Sequence, residues 1–588
     1  MKAFYCSSLL VALLLIGAAR QPEMSAQSFV GLWGGEYVFG PAVSGRLVID
    51  GRQPEWLAHI AGFHVPVRHA AKKLSFAMPD GQGEFQGEIS ANGGPIRGHW
   101  TQPPTVVDGY PFWTPVELES VQEGLWTGPV VPLNDKLTVF VVIAQSADGS
   151  VTAFIRSPEN NFGAHRNFTV LREGDKVVFT NSKQPADHLF GVYDASTDRL
   201  SMTIRKQIAG KKTPLTFDFT RRTRNTAVAF YPRTPAVEHY VYRKPLGEND
   251  GWAITSLEDV GLDPTPVVSA LDKLLKTETR DSPTPYIQGL LVARHGKLAL
   301  EEYFCGFDSG RPHDLRSAGK SFTSALVGIA IDHRAKFDLD TPVVSLFPEY
   351  KTLANPDPRK MQITVKSLLT MTSGLAGNDS DDSSPGNELR MFAQHEQPDF
   401  YKFALDLPMA TEPGGDHMVY FTAGINLLGG IIRNTTSMPV ADFFEQYLAI
   451  PLNMQSYHLN LTPTGEMYGG GGLYLRPRDA LKLGQLYLNG GTWNGRRVVS
   501  KHWVDLSTKR YSGYNPVHGY GFAWHLFEIE VDNRTYSEYE AQGNGGQVIN
   551  VVPELDLTVM FTTGNYGDDE TVPEREIQTA LIRATKSK

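Results

Sequence analysis

A pentapeptide that returns with one residue changed sets the frame for this chain. Gly31-Leu32-Trp33-Gly34-Gly35 returns as Gly124-Leu125-Trp126-Thr127-Gly128, about ninety residues later, which marks an internal tandem. The region holding both copies, 27–224, alternates short apolar runs with Gly, Asn and Asp turns and shows no helical periodicity. Leu137-Thr138-Val139-Phe140-Val141-Val142-Ile143 and Lys176-Val177-Val178-Phe179 have strand character. A second echo sets Phe85-Gln86-Gly87 and Ile96-Arg97-Gly98 against Leu189-Phe190-Gly191 and Leu200-Ser201-Met202. The expectation is an all-β tandem module of two antiparallel barrel or sandwich units. Of nine tryptophans, Trp33, Trp56, Trp100, Trp113 and Trp126 fall here, and filling a β core explains them better than a sugar-stacking platform does. No polar cluster converges in this region, so it is assigned no catalysis, and the partner of the module is unknown.

At 588 residues the chain is too long for a single core. Pro232, Pro235, Pro245 and Gly247 break all regular patterns, so 225–252 reads as a linker. Beyond it the pattern becomes mixed. Residues 286–294, the pair His295-Gly296 and the run from Lys297 form a hairpin on a two-residue turn. Helical patterns follow to about residue 490, including Ala423 to Arg433 and Val440 to Leu448. Gln547 to Val552 and Leu557 to Thr563 form a closing hairpin around Pro553-Glu554-Leu555-Asp556. The fold class expected for 253–588 is α+β, an antiparallel sheet closed by both ends of the domain beside a helical cluster.

The N-terminal residues 1–26 read as a signal peptide. Lys2 precedes an apolar run from Leu9 to Ala19 that is too short to span a bilayer, and cleavage fits after Ala19 or after Ala26. The expectation is an exported protein, periplasmic or secreted. Cys6 lies within that signal, which leaves Cys305 alone in the mature chain and allows no intrachain disulfide. No later segment is apolar for long enough to make an integral membrane span. The net charge of -9 argues against nonspecific nucleic-acid binding.

The chemistry begins at Ser317-Ala318-Gly319-Lys320, a Ser-x-x-Lys pair at the mouth of a helix. Phe322, Ala325, Leu326, Ile329 and Ala330 recur at the spacing of one buried helix face. Ser317 and Lys320 therefore project from neighbouring positions. A serine needs a base within hydrogen-bond reach. A lysine amine serves once burial and the positive helix end favour its neutral form. Acyl transfer also needs a group to protonate the leaving atom and a hole for the oxyanion. Tyr420, just ahead of a helical run, is placed to face a cleft. Gly543-Asn544-Gly545-Gly546, before a strand, lets the backbone approach a ligand closely.

With these residues in place, the chain resembles the serine β-lactamase and penicillin-binding-protein superfamily over roughly 250–585. It is most similar to the branch of class C-like esterases, D-amino-peptidases and aminohexanoate-oligomer hydrolases. The resemblance rests on Arg316 to Ser324, Ile363 to Leu375, Tyr420 with its following helix, Gly469 to Leu473, and Gly543 to Gln547 with Pro553 to Leu557. It implies a β-lactamase/transpeptidase-like domain with Ser317 as the acylated nucleophile, Lys320 as its base partner and Tyr420 as proton relay. It also implies an oxyanion hole made by the backbone N–H groups of Ser317 and Asn544. Thr422, Gln542 and Gly543 fall at substrate-binding positions. No cofactor is implied.

Two departures bear on substrate. The family's Tyr-x-Asn is Tyr420-Phe421-Thr422 here, and its Lys-Thr-Gly is Ala541-Gln542-Gly543, which removes a cation that helps hold substrate carboxylates. The reading is a hydrolase of small esters or amides. A β-lactamase or DD-peptidase is the first alternative, and a non-catalytic binding or sensor protein of the same fold is the second. Asp379, Asp381, Asp382 and Glu388 read as a solvated surface loop. The histidines are scattered and unpartnered, so no metal is supported. No Gly-x-Ser-x-Gly or Gly-x-Gly-x-x-Gly occurs, and Gly469 to Gly472 is not followed by the Lys-Ser/Thr of a P-loop.

Overall fold

The computed structural model describes residues 29–38, 43–104, 110–134, 136–159, 167–182, 188–208, 211–277, 279, 287–394, 398–566 and 572–585. Residues 1–26, expected to be a signal peptide, lie outside them. The β tandem is present with one feature absent from the local pattern: its repeated strands are exchanged. Gly31–Val38, the first strand of the first repeat, closes the eight-stranded barrel built from the second repeat. It pairs with Lys136–Gln145 on one side and Lys211–Arg221 on the other. Leu125–Val130, its sequence counterpart, sits in the first repeat's sheet between Gly45–Asp50 and Phe112–Gln122. Each repeat thus completes the other.

Alternation decides what each strand buries. Leu137, Val139, Val141 and Ile143 point into the closed barrel beside Trp33, Phe168, Phe179, Phe217 and Phe219. Phe140 and Val142 point outward under Phe230 and Tyr231 of the 225–252 segment. A strand covered on both faces reads as a continuous apolar run. The barrel interior is filled by aliphatic and aromatic side chains, the usual outcome for eight strands. Trp33, Trp100, Trp113 and Trp126 are buried, and Trp56 stacks on His69 and Trp126.

The second half is organised by a nine-stranded sheet. From one edge it runs Ala253–Ile254, Lys297–Tyr303, Ile287–Arg294, Leu557–Thr563, Gln547–Val552, Arg534–Gly543, His525–Val531, Gly519–Tyr520 and Ser512–Gly513. Its first hairpin turns on His295 (φ 54°) and Gly296 (φ 72°), the two left-handed positions that a two-residue turn of this hand requires. Pro264–Leu275 and Val572–Ala584 cover one face. The other carries Pro477–Leu488, Gly319–Asp332 and the helical cluster around Thr422–Thr436. Arg478 ties the 225–252 segment to this body by buried ion pairs with Asp250 and Glu301, each at 2.8 Å. Such pairs are costly to break singly.

Gly319–Asp332 differs from the one-sided helix its apolar spacing predicts. From Gly319 to Ala330 it is buried all round. Two of its hydroxyls bond to neighbouring segments: Ser321 donates to the Ala523 carbonyl at 2.6 Å and Thr323 to the Gly469 carbonyl at 2.8 Å. The helix is a central pillar, not a surface element.

The two halves share hydrogen-bonded strands. Phe112 and Trp113 of Phe112–Gln122 pair with Asn460 and Leu459 of Tyr457–Asn460. That strand pairs with Leu473–Leu475, which in turn pairs with His313–Asp314, just ahead of Ser317.

Candidate active site

Ser317 sits in a tight turn, Arg316–Ala318, that runs directly into Gly319–Asp332. The turn is held by Asp314, whose carboxylate accepts the Arg316 backbone N–H at 2.9 Å and pairs with the Arg316 guanidinium at 2.7 Å. Arg316 has φ 50°, a left-handed conformation that a bulky residue keeps only when its surroundings over-determine it. One turn on, Lys320 Nζ donates to the Ser317 hydroxyl at 2.7 Å. Lys320 is only 1% exposed, and its Nζ lies 4.9 Å from the centre of the Tyr420 ring. Tyr420, a hundred residues on in sequence, thus meets the Ser317–Lys320 pair at Lys320.

Two glycines permit the approach of the other elements. A Cβ on Gly543 would lie 2.1 Å from the Leu315 carbonyl oxygen, so the end of Arg534–Gly543 touches the Ser317 turn. This contact brings Asn544, exposed at the strand end, beside that turn. A Cβ on Gly319 would meet the Gly471 backbone at 3.2 Å, which places Gly469 to Gly472 as a packing surface for the helix start. Gln542 is half-buried, and its amide donates to the Glu540 carboxylate. Thr422 is turned into the interior, with its hydroxyl enclosed and without a partner, and its backbone N–H donates to Asp379 at 2.7 Å. Ala541 is fully buried in the core that also holds Trp524 and Tyr539.

The acidic loop divides into two parts. Asp381 and Asp382 are exposed, as a surface loop predicts. Asp379 and Glu388 instead belong to the site wall. Asp379 accepts the backbone N–H groups of Thr422 and of Glu388, the latter at 2.8 Å, and its own N–H donates to the Tyr420 carbonyl at 2.9 Å. The Tyr468 hydroxyl donates to Glu388. Burial pushes the Glu388 carboxyl up, and the Lys320 charge partly opposes this. Asp379 precedes Thr422 by 43 residues, and no periodic spacing signals its role.

A histidine pair was also not legible. His525 stacks at 6.4 Å on the Tyr420 ring and shares a 2.8 Å hydrogen bond with His518. Burial holds His525 down to about 3 and His518 down to about 4, so both are neutral at physiological pH. Among the described residues no group of three or more His, Cys, Asp or Glu side chains could hold a metal ion.

Comparison with known proteins assigns a family. The Beta-lactamase family model matches residues 287–582. Among curated relatives, the 6-aminohexanoate-dimer hydrolase of Paenarthrobacter ureafaciens is 27% identical over 225 residues, covering 37% of this chain and 55% of that protein. Esterase EstB of Burkholderia gladioli is 28% identical over 181 residues, covering 28% and 45% respectively. The chain thus spans about half the length of the curated relatives it matches. Among solved structures, EstCE1, a hydrolase with promiscuous acyltransferase activity, aligns over 55% of this chain and all of its own at 17% identity, with a TM-score of 0.45. A family VIII carboxylesterase aligns over 54% of this chain and 97% of its own at 15% identity, with a TM-score of 0.42. Half of the chain carries the family model, and the chain belongs to the serine β-lactamase and penicillin-binding-protein superfamily.

Proposed function

We propose that the protein is a serine hydrolase that cleaves small esters or amides through an acyl-enzyme on Ser317. The observation that carries this reading is the 2.7 Å contact between Lys320 Nζ and Ser317 Oγ in a buried setting beside Tyr420. In the proposed reaction Lys320, in its neutral form, takes the Ser317 proton as Oγ attacks the substrate carbonyl. The backbone N–H groups of Ser317 and Asn544 hold the oxyanion. Tyr420 passes a proton to the leaving oxygen or nitrogen, and water then releases the acid from the ester on Ser317. Gln542 and Gly543 line the acyl side, and Thr422, its backbone N–H held by Asp379, supports the wall behind them.

Preference for esters and neutral amides over β-lactams is supported by Ala541. A methyl group, enclosed in the core, occupies the position of the cation that grips substrate carboxylates. The names of the relatives, an aminohexanoate-dimer hydrolase and an esterase, point the same way. We further propose export, from Lys2 and the Leu9 to Ala19 run, and a division into a β module at 27–224, a connecting segment at 225–252 and the hydrolase domain at 253–588. N-terminal sequencing of the mature protein tests the first. Fluorophosphonate labelling with peptide mapping tests the chemistry. The adduct is expected on Ser317 and absent in Ser317→Ala, whereas an adduct on Ser321 or Ser373 would refute the mechanism.

A further inference from the structure

The β module reaches into the hydrolase half at Phe112-Trp113, and three successive contacts lead from there to the nucleophile. The Phe112 ring packs edge-on at 5.2 Å against Tyr474, and with Leu133 these two residues form a small buried cluster separate from both main cores. The Tyr474 hydroxyl donates to the Asp314 carboxylate at 3.4 Å. Asp314 holds both the backbone and the guanidinium of Arg316, the residue in left-handed conformation immediately before Ser317. The strand ladder follows the same route, from Phe112–Gln122 through Tyr457–Asn460 and Leu473–Leu475 to His313–Asp314.

We infer that Phe112 is a positioning residue for the nucleophile, acting through Tyr474 and Asp314 on the Arg316 turn, so that the β module is a structural part of the active site. The inference rests on the reading of Ser317 as nucleophile. A left-handed Arg316 needs constraint from outside the turn, and the Asp314 pair supplies it. A cavity of about 660 Å³ between the barrel and the hydrolase half borders His313, Asp314 and Tyr474. The side of Asp314 and Tyr474 facing this cavity is therefore not close-packed, and a gap there forfeits dispersion contacts. The contact with Phe112 matters correspondingly more. Further contacts fix the register of the same edge. The Thr114 hydroxyl bonds His458 at 2.7 Å, and the Trp113 ring stacks on Tyr457 at 6.2 Å.

The test uses the full-length protein, one aryl ester and a fluorophosphonate probe. Phe112→Leu keeps an apolar side chain but removes the ring that supports Tyr474. It is expected to lower kcat about fivefold with KM unchanged and with little change in Tm. Asp314→Asn should lower kcat further. In the double variant the Phe112→Leu effect should vanish, because its route runs through Asp314. Phe112→Leu turnover within about twofold of wild type, or losses that multiply in the double variant, would overturn the inference. Should Phe112→Leu fail to fold, Tyr474→Phe removes one hydroxyl only. It is expected to show the same kcat loss and the same masking by Asp314→Asn, and unaltered turnover in it overturns the inference too. The labelling arm separates the two readings. Absence of an adduct on Ser317 in the wild type removes the proposed function and this inference with it. Ser317 labelled equally fast in wild type and variants removes this inference alone.

Discussion

Lys320 and Ser317 stand one helical turn apart, and the chemistry proposed for them depends on which proton the lysine holds. Arginine would keep the positive charge but could not accept a proton, since a guanidinium stays protonated in proteins. Lys320→Arg is therefore expected to lower kcat/KM by about 10²–10⁴-fold, the range for loss of a general base. Turnover near wild type would show that only the charge is used. Gly543 acts by absence. Its missing Cβ leaves the Leu315 carbonyl room to lie against the strand, and a methyl at 2.1 Å must displace either the strand end or the Ser317 turn. Gly543→Ala should cost about 1–3 kcal/mol of stability, the usual penalty of overpacking. Fluorophosphonate labelling of Ser317 should slow by a larger factor than this modest loss of folded protein explains. Labelling at the wild-type rate would show that the Gly543 contact does not shape the proposed oxyanion hole.

Arg534–Gly543 shows how a single strand serves two environments. Tyr539 and Ala541 pack into the core beneath the central helix, while Glu538 and Glu540 point to the opposite face, both held by the Asn550 amide at 3.1 and 2.7 Å. Burial, with repulsion from Glu540, pushes the Glu538 carboxyl up to about 8 from an ordinary 4.5. Burial raises the Glu540 carboxyl as well. The folded state therefore holds more protons than the unfolded one between these values. The stability this strand contributes is full below about pH 4.5 and falls as pH rises toward about 8. Glu538→Gln should flatten that dependence, raising Tm near pH 9 relative to wild type while changing little near pH 5, in thermal melts at both values. An equal shift at both pH values would mean that the charge is not the cause. These features differ in how far the sequence shows them. The His295-Gly296 hairpin, the strand pair around Pro553 to Asp556, the helix from Thr422 and the Ser317–Lys320 pair were legible because each is encoded within a few residues. The inward turn of Asp379 and Glu388 was not, because an acidic, Ser- and Gly-rich segment looks like solvated loop whichever way its carboxylates point. The burial of Thr422 and Ala541 depends on packing from distant segments, which no local pattern records.

Across the whole molecule, the repeat was legible but the exchange of its first strands was not. Two copies of one strand carry the same pattern, so the sequence is equally compatible with either copy in either sheet. Exchange has a physical consequence: the halves of the tandem are not independent folding units, and the module cannot be cut at its repeat boundary without leaving both sheets short of a strand. Together with the ladder from Phe112–Gln122 to His313–Asp314, this makes the chain more cooperative than its modular composition suggests. The exchange predicts effects that cross the repeat boundary. Trp33 lies in the first repeat by sequence, yet its fully buried ring packs against Phe29 and Tyr193 inside the barrel of the second. Trp126 lies in the second repeat, yet its ring stacks on Trp56, and its indole N–H donates to the Gly94 carbonyl at 3.0 Å. A buried Trp→Ala change removes about 3–5 kcal/mol, enough to raise local opening in the body that loses the ring. Native-state hydrogen exchange read by mass spectrometry should show Trp33→Ala loosening residues 136–221 while 45–102 stay protected. Trp126→Ala should loosen 45–102 and spare the barrel at 136–221. If Trp33→Ala loosened its own repeat instead, the strands would not be exchanged in solution, and each repeat would have to close on its own first strand.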